Sequence, residues 1–223
     1  ALPLFVWMGE ILFRTKLSEN LFKGLSPWMQ KLPGGLIHVN VVGCALFAAI
    51  SGSSAATVAT VGKMSIPELR KRNYPEKILL GSLAGSGTLG LLIPPSIILI
   101  IYGVAVQESI AKLFIAGILP GIMIALIFMS YVMIWSLMNK KEMPKILEEY
   151  SFVEKVRRSK QLLPVILLIL AVIGSIYTGV ATATEAASLG VVGALILSYF
   201  QKSLTLKTFK SSLLGATKTS CMI

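Results

Sequence analysis

The chain has 223 residues, of which 55% are hydrophobic and only 14% charged, and its mean hydropathy is +0.79. A soluble domain carries about 25% charged residues, so this composition leaves too little polar surface for a water-exposed globule and excludes a disordered chain as well. The net charge of +11 does not mark a nucleic-acid binder, because the basic residues sit in short clusters between long apolar runs, the pattern of an integral membrane protein.

Ala1–Phe13 is an apolar run too short to span a hydrocarbon core of about 30 Å by itself. Neither an initiator Met nor a signal peptide stands before it, and the chain is therefore expected to be a piece of a longer polypeptide. Four segments, Arg14–Pro33, Lys63–Lys77, Asn139–Gln161 and Gln201–Lys218, hold all but one of the 21 basic residues. Short Lys/Arg-rich loops belong on the cytoplasmic side. From Lys63–Lys77 onward the threading is direct. Ile78–Val106 crosses outward, Gln107–Lys112 is a short outer loop, and Leu113–Met138 returns. Leu162–Tyr177 then goes out and Glu185–Phe200 comes back.

Gly35–Gly62 is the exception, because a single crossing there would place one basic segment outside. Its 28 residues would make about 42 Å of helix, more than one untilted crossing needs. Near its middle, Ser51-Gly52-Ser53-Ser54 is small, polar and poorly suited to a helix. A re-entrant hairpin over residues 35–62 satisfies both observations, turning at Ser51–Ser54 at membrane depth. Non-helical backbone at that depth is tolerated only against protein or a water-filled cavity. The competing reading is one long tilted helix with a Gly/Ser packing patch.

The span 78–106 is also too long and also interrupted. Gly81, Gly85, Gly87 and Gly90 lead to Pro94-Pro95, with Thr88 and Ser96 beside them. Each proline lacks an N–H and clashes with the preceding turn, so Gly87–Ser96 should leave several carbonyls without helical partners. Such oxygens can replace the hydration shell of a cation. Secondary transporters place substrate and coupling ions between discontinuous helices, half-helix N-termini facing anions and unwound carbonyls facing Na⁺ or H⁺. Ser51–Ser54 and Gly87–Pro95 are expected to meet and form one ion site.

Several runs resemble one known family. They are Gly34-Gly35-Leu36, Phe47 to Thr57 around Ser51-Gly52-Ser53-Ser54, Gly81 to Ser96 with its glycines and Pro94-Pro95, Leu113 to Gly121, and Thr184-Glu185-Ala186-Ala187. Across essentially the whole chain they are similar to the large membrane subunit of tripartite ATP-independent periplasmic (TRAP) transporters. The resemblance implies an all-α integral membrane protein: an ion-transporter-type fold fragment with a re-entrant helical hairpin and a broken transmembrane helix. It implies an elevator-type, Na⁺-coupled importer of organic acids such as C4-dicarboxylates or sialic acid, not an enzyme, in the bacterial inner membrane. The expected partners are a small four-helix membrane subunit, a periplasmic substrate-binding protein, a carboxylate substrate and the lipid bilayer, with no nucleic acid.

Carried over by motif, the Na⁺ ligands, mainly backbone oxygens, lie among Ser51, Gly52, Ser53, Ser54, Gly87, Thr88, Gly90, Ile93 and Pro95; Ser53, Ser54, Pro94 and Ser96 would adjoin the substrate. Residues 1–33 would end a scaffold helix and its cytoplasmic loop, 34–112 would form half of a transport domain, and 113–223 would be scaffold helices. Ala55 and Ala183 stand where the family often has Pro. The family chain is nearly twice as long, with two inverted repeats, and a second Na⁺ site would belong to the second repeat. A non-transporting scaffold or channel-like subunit is the alternative. A channel would need a polar stripe along a whole helix or a ring of like residues, and a scaffold would not need two midplane breaks.

The remaining chemistry is sparse. All ten acidic residues are Glu, which puts a carboxylate dyad or an Asp-based metal site nearly out of reach. Glu185 lies inside the predicted membrane region, as a gating or packing carboxylate or as a capping residue in the first turn after Thr182 or Thr184. His38, the only histidine, would lie about 20 Å from Ser51 along one helix, too far for a serine–histidine pair. It is expected to be a hydrogen-bonded interface residue. Cys44 and Cys221 show no metal-type spacing. Asn139–Gln161, with Ile146, Leu147, Tyr150, Phe152, Val153 and Val156, and the later run Leu206, Phe209, Leu213 and Leu214 suit amphipathic helices on the cytoplasmic surface. Trp7, Trp28 and Trp135 fall near predicted interfaces.

Overall fold

A computed structural model describes residues 1–15, 17–144, 150–160 and 162–222. Eleven α-helices occur among them and no strand. They are α1 (Leu2–Phe13), α2 (Leu17–Met29), α3 (His38–Ser51), α4 (Ser54–Lys71), α5 (Glu76–Gly87), α6 (Ile97–Ala105), α7 (Ile110–Met138), α8 (Phe152–Ser159), α9 (Leu163–Tyr177), α10 (Ala183–Phe200) and α11 (Leu206–Met222). By length and composition α7 and α10 can each cross a bilayer unaided. Their large apolar side chains, including Leu119, Leu126 and Ile134 on α7 and Leu189 and Val192 on α10, are exposed, as a lipid-facing surface requires. The fold is that of an all-α membrane protein.

The interruptions fall where composition places them. α3 ends at Ser51, Gly52 adopts the left-handed conformation with φ +59°, and Ser53 is extended and caps α4. α3 and α4 pack side by side as a helical hairpin, and α5 lies against both. After α5 the chain tightens into a single 3₁₀ turn, Thr88–Leu91, loses helical form through residues 92–96, and resumes as α6.

Lys63–Lys77, expected as a loop, is mostly helix. α4 runs through Pro67 to Lys71, and the carbonyl that Pro67 leaves without a partner belongs to exposed Lys63. Only residues 72–75 connect α4 to α5. Asn73 takes φ +58° there, and Arg70 bridges the turn to the Glu76 carboxylate through Nε and Nη2. That guanidinium lowers the Glu76 carboxyl below its ordinary value. The expected outer loop is likewise shorter, since α7 begins at Ile110 and Lys112 is already helical.

α1 is the hub. It packs against α10, α11 and α3, and Phe5 stacks edge-on against Phe114 of α7 at 6.1 Å between ring centres. Trp7, expected only at an interface, docks α11: its Nε1 donates to Ser212 Oγ at 3.3 Å and its ring meets Phe209 edge-on. α11 turns Ser212 and Ala216 inward while Leu206, Leu213 and Leu214 point outward. Small residues allow the close approach to α1, so the inner face is not the leucine face that the periodicity suggests. Trp28 plays a similar part on α2, donating to Ser159 Oγ at 2.7 Å and meeting Phe152 edge-on. Ile146 and Leu147, expected in the same amphipathic segment as Phe152, lie outside the described residues.

Candidate functional site at the hairpin tip

The hairpin turn and the broken helix meet. The Ile97 N–H donates to the Gly52 carbonyl at 3.1 Å, joining the tip to the first turn of α6. A Cβ on Gly52 would lie 2.5 Å from the Pro95 carbonyl oxygen, and one on Gly90 would lie 2.9 Å from the Ser53 carbonyl carbon and the Ser54 nitrogen. At both positions the obstacle is backbone, which cannot swing aside. Gly87 faces Val58 at similarly close range, one turn further down α4. The sequence uses glycine here because two irregular segments must touch main chain to main chain.

Side chains of the tip hold the turn in shape. Thr57 is fully buried, and its hydroxyl donates to the Ser53 carbonyl at 2.7 Å while lying 2.9 Å from Ser51 Oγ. The Ala56 N–H donates to Ser53 Oγ at 3.4 Å, closing the N-terminus of α4. In the broken helix, buried Ser96 donates to the Leu91 carbonyl at 2.7 Å, and the N–H groups of Leu92 and Ile93 both turn back to the Leu89 carbonyl.

Ser51, Gly52, Ser53, Ser54, Gly87, Gly90 and Pro95 are therefore brought together. The side chains of two further expected members, whose backbone oxygens were the expected ligands, turn away from the junction. Thr88 is exposed, with its hydroxyl committed to the Gly85 carbonyl, and the Ile93 side chain lies against Gly121 of α7. Pro94 and Ser96 are buried in the break.

The arrangement is electrostatically two-sided. α4 and α6 both begin at the site, aiming the positive ends of their dipoles at it, while α3 and the turn Thr88–Leu91 end there and present carbonyls. Its donors are backbone carbonyls and the hydroxyls of Ser51, Ser53 and Thr57, a neutral oxygen set of the kind that suits a hard monovalent cation. Among the described residues no group of three His, Cys, Asp or Glu side chains is placed to hold a metal.

Four contributors, Gly9, Gly117, Gly121 and Thr57, were not singled out in advance as members of the site. A Cβ on Gly9 of α1 would stand 2.8 Å from Ser51 Cα, so α1 forms the third wall. Gly117 and Gly121 of α7 receive the irregular segment, a Cβ on Gly117 lying 2.6 Å from the Leu92 carbonyl oxygen. Thr57, four residues past the tip, could have been found as a polar residue on the hairpin's inner face. Away from the tip, Asn40 is a polar anchor of the hairpin, fully buried on α3 and donating to the Leu79 carbonyl and to Ser82 Oγ of α5 at 3.2 and 3.0 Å.

The other singled-out residues have structural roles. Glu185 caps α10, its carboxylate accepting from the Thr182 N–H at 2.8 Å and from the Thr182 hydroxyl at 2.7 Å, which decides for capping at Thr182. His38 is buried and its Nε2 donates to the Pro33 carbonyl at 2.7 Å, fixing the entry to α3.

Paired interrupted helices around an oxygen-lined junction, in an all-α membrane protein, are an arrangement that membrane transport components use. Residues 1–223 match the family model described as "Tripartite ATP-independent periplasmic transporter, DctM component", and the chain belongs to this family. It is 34% identical over its full length to the C4-dicarboxylate TRAP transporter large permease protein DctM of Pseudomonas aeruginosa, covering 52% of that protein. It is 36% identical over 88% of its length to the ectoine/5-hydroxyectoine large permease protein UehC of Ruegeria pomeroyi, covering 45% of it. To the sialic acid permease protein SiaT of Haemophilus influenzae it is 35% identical over 97% of its length, covering 35% of it. The chain spans about half the length of the first of these curated relatives.

Proposed function

We propose that this chain supplies one ion-coupling half of a Na⁺-driven organic-acid importer. The observation that carries the reading is the backbone-to-backbone junction of Gly52 and Ser53 with Gly90, Pro95 and Ile97, where two helix N-termini and two carbonyl-bearing ends converge. Na⁺ would be held by carbonyls of residues 51–54 and 87–95 together with the Ser51, Ser53 and Thr57 hydroxyls, placing positive charge beside the N-termini of α4 and α6. Those N-termini, with Ser53, Ser54, Pro94 and Ser96 around them, would orient a substrate carboxylate. The relatives named for C4-dicarboxylates and sialic acid support a carboxylate substrate.

The hairpin is then re-entrant, entering from the cytoplasmic side, with the basic segments inside. Residues 34–112 would move as a unit against a scaffold that includes α1 and α7–α11, by an elevator-type motion in the bacterial inner membrane. A periplasmic binding protein would deliver the substrate and a small four-helix membrane subunit would brace the scaffold; a relative from Oleidesulfovibrio alaskensis named as the isethionate permease protein DctMQ supports the pairing with a second membrane component. The test is uptake into proteoliposomes by the full-length chain with its partners. Uptake should require a Na⁺ gradient in the unsubstituted protein and be lost in Gly90→Val; Na⁺-independent uptake, or full uptake by Gly90→Val, overturns the assignment.

A further inference from the structure

The junction has a back wall made by helices that lie outside the hairpin and the broken span. Val6 of α1, Ile97 of α6 and Ala216 of α11 form a buried apolar cluster of their own, apart from the main core, with Leu2 and Trp7 packed at its edge. Ile97 is the residue whose N–H holds the Gly52 carbonyl. Among the described residues that is the main-chain hydrogen bond joining the hairpin tip to the broken helix. α6 has few other anchors. Of its nine residues Ile97, Ile100 and Gly103 are buried, while Ile98, Tyr102 and Val104 are exposed. The end of α6 that makes the contact is therefore held from behind by α1 and α11.

α11 is fixed in turn by α1. Phe209, Ser212 and Ala216 recur at i, i+3 and i+7 and so share one face, and Trp7 engages the first two. Ser212 also donates to the Phe209 carbonyl at 2.8 Å. On the adjoining turn Gly215 leaves room for the Glu10 carboxylate, which pairs with Arg14 at 2.9 Å. Small residues set how closely the two helices approach. Ala216 is 4% exposed in that contact, and a longer side chain there has to displace its neighbours in the cluster.

We propose that Ala216 is a positioning residue for the ion junction. Its small size lets α1 and α11 seat Ile97 so that the N–H stays on the Gly52 carbonyl. The proposal rests on the ion-coupling reading and adds that a helix far along the chain governs the affinity of the site. A cation site built from carbonyls depends on their spacing, and that spacing is kept by the bond from Ile97 to Gly52. Ala216 acts through Ile97 alone.

The experiment measures Na⁺ binding to the purified full-length chain, with hydrogen exchange at the Ile97 amide and the melting temperature read on the same samples. Ala216→Leu should weaken Na⁺ binding by about tenfold and speed exchange at Ile97. Ala216→Val should do both to a smaller degree, and it carries the comparison if Ala216→Leu does not fold. Ala216→Ser is nearly the same size and should do neither. Thr182→Ala, at the start of α10, lowers the melting temperature away from the cluster and should leave Na⁺ binding unchanged. Unchanged Na⁺ binding in both larger Ala216 variants, or an equal loss in Thr182→Ala, overturns the proposal and leaves the ion-coupling reading standing. If the unsubstituted protein binds no Na⁺, the ion-coupling reading fails instead. Exchange at Ile97 then decides the positioning role: faster in Ala216→Leu or Ala216→Val than in Thr182→Ala upholds it, and equal rates overturn it.

Discussion

Two consecutive stretches of nearly equal length behave differently. Residues 110–138 form α7, 29 residues without interruption despite Gly117, Pro120 and Gly121. Residues 76–105 begin as a helix, tighten at Thr88, lose regular form through 92–96 and restart at Ile97. Proline alone does not account for this. Pro120 costs α7 one hydrogen bond, whereas Pro94 and Pro95 adjoin each other and follow Gly90, so N–H donors and backbone stiffness are lost together. The break also has somewhere to go. The Ile97 N–H finds Gly52, the Ser96 hydroxyl takes up the Leu91 carbonyl, and the glycines of α7 make room for residues 92 and 93. An interrupted helix in a membrane protein persists where neighbours satisfy the groups it frees.

The largest expected effect comes from closing that accommodation. Gly52→Ala places a side chain in a left-handed conformation and against the Pro95 carbonyl, and should cost about 2–4 kcal/mol. A melting temperature within a degree of the unsubstituted protein would show that the two segments do not depend on this contact. Next, Gly117→Val should push the irregular segment off α7 and cost about 1–3 kcal/mol, read as faster hydrogen exchange at residues 89–97 with α7 itself still protected. If the exchange increase appears in α7 instead, the comparison fails, because α7 would then be the weaker partner.

Smaller effects sharpen the contrast with ordinary helix ends. Thr182→Ala removes both the side-chain cap of α10 and one of the partners of Glu185, at a cost of about 1 kcal/mol, visible as local exchange at residues 183–186 with no change at the hairpin tip. The smallest concerns the α4–α5 turn. Folded Glu76 has a carboxyl pKa below its ordinary 4.5 because Arg70 donates hydrogen bonds to it. The unfolded state therefore binds more protons in acid, and the contribution is present above about pH 4.5 and lost as the pH falls toward the lower folded value. The pair is exposed and largely screened. Glu76→Gln should flatten a shallow acid slope in the melting temperature; an unchanged slope assigns it to another carboxylate.

Much of the fold was legible because it is local. A run that is too long for one crossing, with Ser-Gly-Ser-Ser or Gly and Pro-Pro inside it, has to break at those residues, and both breaks fall there. The candidate site was legible as two segments for the same reason. Its individual members were less so: Thr88 turns back to its own helix and the Ile93 side chain faces α7, because which way a residue points within an irregular turn depends on the path of the backbone through it. Trp7 and Trp28 carried an interface signal in composition, yet their hydrogen bonds to Ser212 and Ser159 join positions far apart in the chain.

By itself, then, the sequence determined the helical class, the membrane character, the two breakpoints and the clustering of positive charge, since each follows from hydropathy, backbone freedom or missing N–H groups within a few residues. Tertiary structure alone decided that Gly9 closes the site against Ser51, that α7 cradles the broken segment, and that α11 packs through Ser212 and Ala216 rather than its leucines. Those outcomes depend on which faces of distant helices meet, and close approach there is limited by the absence of a Cβ or the size of a side chain on the opposite helix, which no local pattern records.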